Sequence, residues 1–150
     1  MQVDCKNMTT AKILHDCKEE LNEAELRATP ARIAVMKLLE TTNTPVDVSM
    51  IIEYLEEKNI KTDPATAFRI VNMFMEKGLV KQISFNEGKF RYELSSKADH
   101  HHLICESCRK IEDISDCAIP ELEGDIKKKK GFLVKRHSLE FFGLCKNCQR

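Results

Sequence analysis

Residues 63 to 94 read DPATAFRIVNMFMEKGLVKQISFNEGKFRYEL, and this stretch decides the fold. Asp63 can cap a helix through its carboxylate, Pro64 suits the first helical position, and Gly78 supplies the left-handed residue that ends one. Between them, Ala67, Ile70, Val71 and Phe74 recur at the i, i+3, i+4, i+7 spacing of a core-facing stripe. Ala65, Phe68, Arg69 and Asn72 keep the same spacing on a face the core does not need. Arginine and asparagine bond base edges bidentately in the major groove, and a phenyl ring packs on thymine methyls. Phe68, Arg69 and Asn72, joined by Thr66 in the first turn, are therefore candidate DNA readers. The plainer alternative is a second core layer at Phe68 and a solvated charge at Arg69.

The sequence around this helix favours the DNA reading. Leu79 to Phe85 and Lys89 to Leu94 have strand character on either side of Asn86-Glu87-Gly88, which predicts a β-hairpin. Upstream, three amphipathic helices are expected. The first runs from Thr10 to Glu25 with Ile13, Leu14, Cys17 and Leu21 on its apolar stripe. The second runs from a Thr29-Pro30 start to about Glu40, and the third from an Asp47 cap to near Asn59. Three helices, a strongly punctuated fourth and then a hairpin is the order of a winged helix-turn-helix. In that arrangement Lys81 and Lys89 of the hairpin meet backbone phosphates.

Charge is consistent with a local rather than a general nucleic-acid surface. The 150 residues carry 24 basic and 24 acidic side chains, a formal balance of zero. The first sixty residues are acid-rich, whereas 61 to 94 carry Lys61, Arg69, Lys77, Lys81, Lys89 and Arg91 against Asp63, Glu76, Glu87 and Glu93. There is no apolar run of ~18 residues and no charged-then-apolar leader, so no membrane partner is expected and the location is expected to be cytoplasmic.

Seven cysteines in a chain read as cytosolic point away from a disulfide framework. Cys105-x2-Cys108 and Cys145-x2-Cys148 form two matched pairs able to offer four thiolates to a tetrahedral ion, for which zinc fits best. Cys5, Cys17 and Cys117 are left over; Cys17 belongs to the first helix's apolar stripe. Just before the first pair, His100, His101 and His102 lie on an expected strand, His101 to Cys105, so side-chain alternation puts His100 and His102 on one face and His101 on the other. The first two can join Glu93, at the end of the hairpin, and Asp113, on a neighbouring strand through Ile111 to Ile114. His101 can join Asp99, Glu121 or His137. Such nitrogen and oxygen sites suit Fe(II), Mn(II) or Zn(II), and ligand type alone does not choose among them. A helix is expected from Pro120 to Lys130, stopped by Gly131; its early acids and late lysines suit the helix dipole. Phe132 to His137 and Ser138 to Leu144 are expected to supply the last strands.

From about Arg27 to Cys148 the chain resembles the ferric uptake regulator family of metal-dependent DNA-binding repressors. The resemblance is carried by RATPAR at 27 to 32, PATAFR at 64 to 69, GKFRYEL at 88 to 94, HHHLICESC at 100 to 108 and HSLEFFGLCKNC at 137 to 148. It implies a homodimer, a C-terminal α/β dimerisation domain and repression at AT-rich palindromic DNA. Position by position, it implies structural zinc on Cys105, Cys108, Cys145 and Cys148, and regulatory metal on Glu93, His100, His102 and Asp113. His101 and His137 match parts of an additional site, and Arg27 matches a basic residue that reaches the minor groove. Four departures stand out. NTPVD occupies the region where the family usually places a histidine, which leaves Asp47 as its possible substitute. Phe68 replaces a tyrosine, Arg109 replaces a glycine, and Pro120 stands where an acid is expected.

The expected architecture is α+β: a winged-helix DNA-binding domain at 1–94, a hinge at 95–99, and a zinc-stabilised dimerisation and metal-sensing domain at 100–150. The function expected is a metal-responsive transcriptional repressor and not an enzyme, since no general base stands beside an open metal site as in H-E-x-x-H. A peroxide-sensing member of the same family, or a zinc-stabilised interaction module without DNA binding, are the competing readings.

Overall fold

The structure is a computed structural model that describes residues 16–115 and 118–149. Cys5, Cys117 and the part of the first expected helix before residue 16 lie outside the described residues. Ten elements follow in order: α1 Cys17–Glu23, α2 Pro30–Thr41, α3 Val48–Glu57, α4 Pro64–Glu76, β1 Val80–Ser84, β2 Phe90–Leu94, β3 His101–Cys105, β4 Ile111–Ile114, α5 Ile119–Lys130 and β5 Glu140–Gly143.

The helices begin where side chains can satisfy their free N–H groups. Thr29 accepts from the N–H of Arg32, Asp47 from Met50, and Asp63 from Thr66. Helix α4 ends through Gly78, whose φ is 71°, with the N–H of Leu79 returning to the carbonyl of Phe74 at 2.9 Å. The expected core stripe of α4, Ala67, Ile70, Val71 and Phe74, is buried. It packs with Leu21, Val35, Met36, Leu39, Ile51 and Leu55 of the earlier helices and with Val80, Tyr92 and Leu94 of the hairpin.

Strands β1 and β2 are antiparallel, with Lys81 opposite Glu93 and Ile83 opposite Arg91. Val46 pairs with Tyr92 through two backbone hydrogen bonds of 2.7 and 2.9 Å, fastening the chain ahead of α3 to the hairpin. One hairpin face, with Val80, Tyr92 and Leu94, covers the helices. The other, with Lys81, Ile83, Phe85 and Glu93, faces the second sheet.

That sheet has the order β4-β3-β5, with β3 and β4 antiparallel and β3 and β5 parallel. A small apolar cluster of Ile83, Phe85 and Ile104, with Ile111 packed against it, joins hairpin and sheet. The polar connection at 95–99 is tied back to the helical body, since the N–H of Ser95 donates to Leu79 and the ammonium of Lys97 to the carbonyl of Thr42. The expected strand Phe132 to His137 is not formed, and the last strand is only Glu140–Gly143. The outer edges of β4 and β5 are open, but 131–139 runs to β5 without pairing to either and leaves Phe132 and Leu133 exposed. Among the described residues, no helix is long and apolar enough to cross a membrane.

Candidate metal centres and nucleic-acid face

The four paired cysteines come together. Their sulfurs all lie within 4.8 Å of one another, and Cys108 and Cys145 are 3.7 Å apart. A tetrahedron with Zn–S bonds of ~2.3 Å has edges of ~3.8 Å, so the arrangement fits a zinc ion. Local backbone builds it: Cys105 receives the N–H of Cys145 at 3.4 Å, and the N–H of Arg109 closes the first turn on the carbonyl of Cys105. Arg109 itself is left-handed, with φ at 63°, which is why glycine suits this position. Backbone N–H groups from Cys145 and Cys108 hold the Cys105 thiol down to about 6. At Cys148 a hydrogen bond with Ser107 acts downward, but the neighbouring thiols Cys145 and Cys108 outweigh it and push the group up to about 11.

A second centre lies between hairpin and sheet. Strand alternation places His100 and His102 over the Glu93 carboxylate: His100 Nε2 is 3.1 Å from Oε2, and His102 Nε2 is 3.6 Å from the same oxygen. Ligand atoms of the three residues lie within 4.8 Å of one another. Asp113 is opposite His102 in the β3–β4 register, its Oδ1 3.8 Å from Nε2, at the more exposed margin of the group. Glu93 is 1% exposed; burial alone would raise its pKa, but His102 and Lys81 outweigh it and hold the carboxyl down to about 2. Glu93 Oε1 and His102 Nε2 are buried without a hydrogen-bond partner. The unbonded His102 Nε2, grouped with His100 Nε2 and Glu93 Oε2, fits a metal ligand set of one carboxylate and two imidazoles.

Two expectations change here. Asp47 does not join the centre: it is buried at the start of α3, where it accepts from Met50 and pairs with Lys89. Lys81 is not turned outward for a phosphate. Its ammonium is 3.1 Å from Glu93 Oε1, out of line for a hydrogen bond but in ionic contact. The hairpin register, which pairs positions 81 and 93 around Asn86-Glu87-Gly88, was the sequence signal for this contact.

On the opposite face of β3, the ring of His101 is 5.1 Å from that of His137, and His137 Nδ1 is 3.0 Å from Glu123 Oε1. Asp99 lines the same cleft, whereas Glu121 is exposed in the first turn of α5 and does not. The acid that meets His137 is thus Glu123, which sequence reasoning passed over for Glu121. The two positions lie roughly 200° apart around the helix, so only the docking of α5 separates them.

On α4, Phe68 and Arg69 are exposed and Thr66 and Asn72 half-buried, opposite the core stripe. Arg69 has no carboxylate within ion-pair distance among the described residues. Arg27 is exposed just ahead of α2. Lys89 remains half-exposed although paired with Asp47.

The sequence profile of the Ferric uptake regulator family matches residues 23–142. This chain belongs to the ferric uptake regulator family. Members of that family are metal-responsive transcriptional regulators. The chain is 33% identical over 131 residues to the Ferric uptake regulation protein of Shigella flexneri, covering 87% of this chain and 88% of the relative. It is 32% identical over 137 residues to the Peroxide operon regulator of Bacillus subtilis, covering 91% and 94%. Among solved structures, the Vibrio cholerae ferric uptake regulator superposes with a TM-score of 0.77 at 27% identity, over 87% of this chain and all of that one. Within this ferric uptake regulator fold the thiolate group ties β3 to the segment after β5, and the Glu93 group ties the hairpin to β3.

Proposed function

We propose that this chain is a homodimeric, metal-dependent repressor whose DNA affinity is set at Glu93, His100, His102 and Asp113. One observation carries the reading: Glu93 comes from the hairpin of the helical body, while His102 comes from β3 and His100 from just ahead of it, beyond residues 95–99. Bound by these residues, a divalent Fe, Mn or Zn ion supplies positive charge that neutralises the carboxylates and joins the two parts. The division proposed is 1–94 for DNA binding, 95–99 as hinge and 100–150 for dimerisation and sensing. Ser95 and Lys97 are held by the helical body, which leaves Ala98 and Asp99 as the part of this hinge without such ties.

The residues then divide the work. Cys105, Cys108, Cys145 and Cys148 hold structural zinc. Phe68, Arg69, Asn72 and Thr66 read the major groove of double-stranded, AT-rich palindromic DNA. Arg27 and Lys89 contact its backbone and minor groove. Exposed Phe141, Phe142 and Leu144 on and beside the edge strand β5, with Phe132 and Leu133, support a second copy as the partner. His101, His137 and Glu123, with Asp99 in the same cleft, are the further candidate ligands, although their donor atoms do not gather within 4.8 Å as those of the first two centres do.

The peroxide-sensing branch is the second reading, favoured by the 32% identity to the Bacillus subtilis regulator, which lies beside 33% to an iron regulator. DNA-binding anisotropy on protein stripped of regulatory metal, titrated separately with Fe(II), Mn(II) and Zn(II), tests both. At least one ion is expected to tighten binding, and sensitivity of the Fe(II) form to peroxide identifies the branch. Binding that no ion alters and that survives Arg69→Ala would favour an interaction module without DNA function.

A further inference from the structure

We propose that Lys81 is a resident counter-cation of the Glu93 centre, placed where it competes with a divalent ion and thereby sets the metal concentration the protein responds to. The inference rests on the reading of Glu93, His100 and His102 as the regulatory site. Three observations support it.

Position comes first. The β1–β2 register sets Lys81 opposite Glu93, and alternation puts its side chain on the hairpin face that carries Ile83 and Phe85, against the second sheet. The ammonium is therefore directed to the centre by the same pairing that builds the hairpin.

The second is the way the carboxylate is shared. Oε2 meets the two histidines at 3.1 and 3.6 Å, whereas Oε1 is met by Lys81 at 3.1 Å and by no hydrogen-bond donor. The lysine thus takes the oxygen that the histidines leave open. A positive charge there screens Glu93 and repels any ion that approaches the two imidazoles.

The third is leverage. Within the closely grouped donors, Glu93 is the one contributed by the helical body, since Asp47 is committed to α3 and Lys89. Whatever weakens the hold on Glu93 weakens the link between the two parts of the chain. The Lys81 side chain is 39% exposed on a flexible stem, so it can withdraw when an ion binds, at the cost of its contact with Glu93.

The test is calorimetric titration of Mn(II) into full-length protein that keeps its thiolate zinc but has been stripped of regulatory metal. Lys81→Met is expected to bind Mn(II) about tenfold or more tightly than wild type, roughly 1.4 kcal/mol. Lys81→Arg, which keeps the charge, should stay within about threefold of wild type. Lys77→Met, a lysine paired with Glu25 at the end of α4, should leave affinity unchanged. The inference is overturned if Lys81→Met binds no tighter than wild type, or if Lys81→Arg tightens as much as Lys81→Met. Should circular dichroism show Lys81→Met misfolded, Lys81→Gln is read in its place against the same threshold. Glu93→Gln separates the two levels: affinity unaffected by that change removes the regulatory-site reading itself, whereas weakened binding with no gain in Lys81→Met removes only the lysine's role.

Discussion

Arg109 shows how one residue's backbone exposes a local compromise. Its φ of 63° lies in the left-handed region, disfavoured for a side chain with Cβ, yet the turn between Cys105 and Cys108 requires it. Arg109→Gly is expected to stabilise the zinc-loaded protein by about 1 kcal/mol, read as a shift of the urea midpoint with an unchanged slope. Asp47 is the opposite case, a residue whose contacts all agree. Burial would raise its pKa, but Lys89 and the N–H of Met50 outweigh that and lower it. A lowered folded value means its charge stabilises above the unfolded value of ~3.9 and ceases to do so as pH falls through the folded value. Asp47→Ala should therefore cost about 1–2 kcal/mol at pH 7, and the gap to wild type should narrow in acid, measured by urea unfolding across pH 3 to 7.

At the scale of elements, α4 was legible in the sequence because everything that defines it is local: Asp63 as cap, Pro64 in the first turn, Gly78 at the end and a stripe of apolar residues between. Its outward face follows, and it carries a prediction. Arg69→Ala should weaken operator binding by about 1–3 kcal/mol in fluorescence anisotropy while leaving the unfolding midpoint within error, because Arg69 is exposed and makes no ion pair among the described residues. Phe74→Ala in the same helix should do the reverse, costing about 3–5 kcal/mol of stability, since Phe74 is fully buried. Strand alternation likewise foretold the separation of His101 from His100 and His102. What was not legible depends on partners distant in sequence. Whether 132–137 pairs as a strand depends on whether it reaches an open edge of β4 or β5, which local sequence does not encode. Whether Glu121 or Glu123 meets His137 depends on how α5 docks, and α5 has no buried residue to announce its orientation.

Across the whole molecule, apolar burial is uneven, and that decides what metal removal does first. Among the described residues, the helical body encloses a large cluster from Cys17 to Leu94, whereas the sheet contributes Ile104 and Ile111 to a small one with Ile83 and Phe85 of the hairpin. So small a core does not order a three-stranded sheet without a covalent or metal link, and the thiolate group is the link that joins β3 to the segment after β5. Zinc chelation, or Cys105→Ser, is therefore expected to unfold the sheet ahead of the helices. Amide hydrogen exchange should show protection lost in β3, β4 and β5 while α2, α3 and α4 keep theirs. DNA binding should fall in the same samples, because Glu93 then faces no ordered histidines and the partner surface proposed beside β5 is lost with the sheet. Equal loss of protection in both parts would mean that the body and the sheet unfold as one cooperative unit, and would place the coupling in the Ile83, Phe85 and Ile104 contact rather than in the zinc.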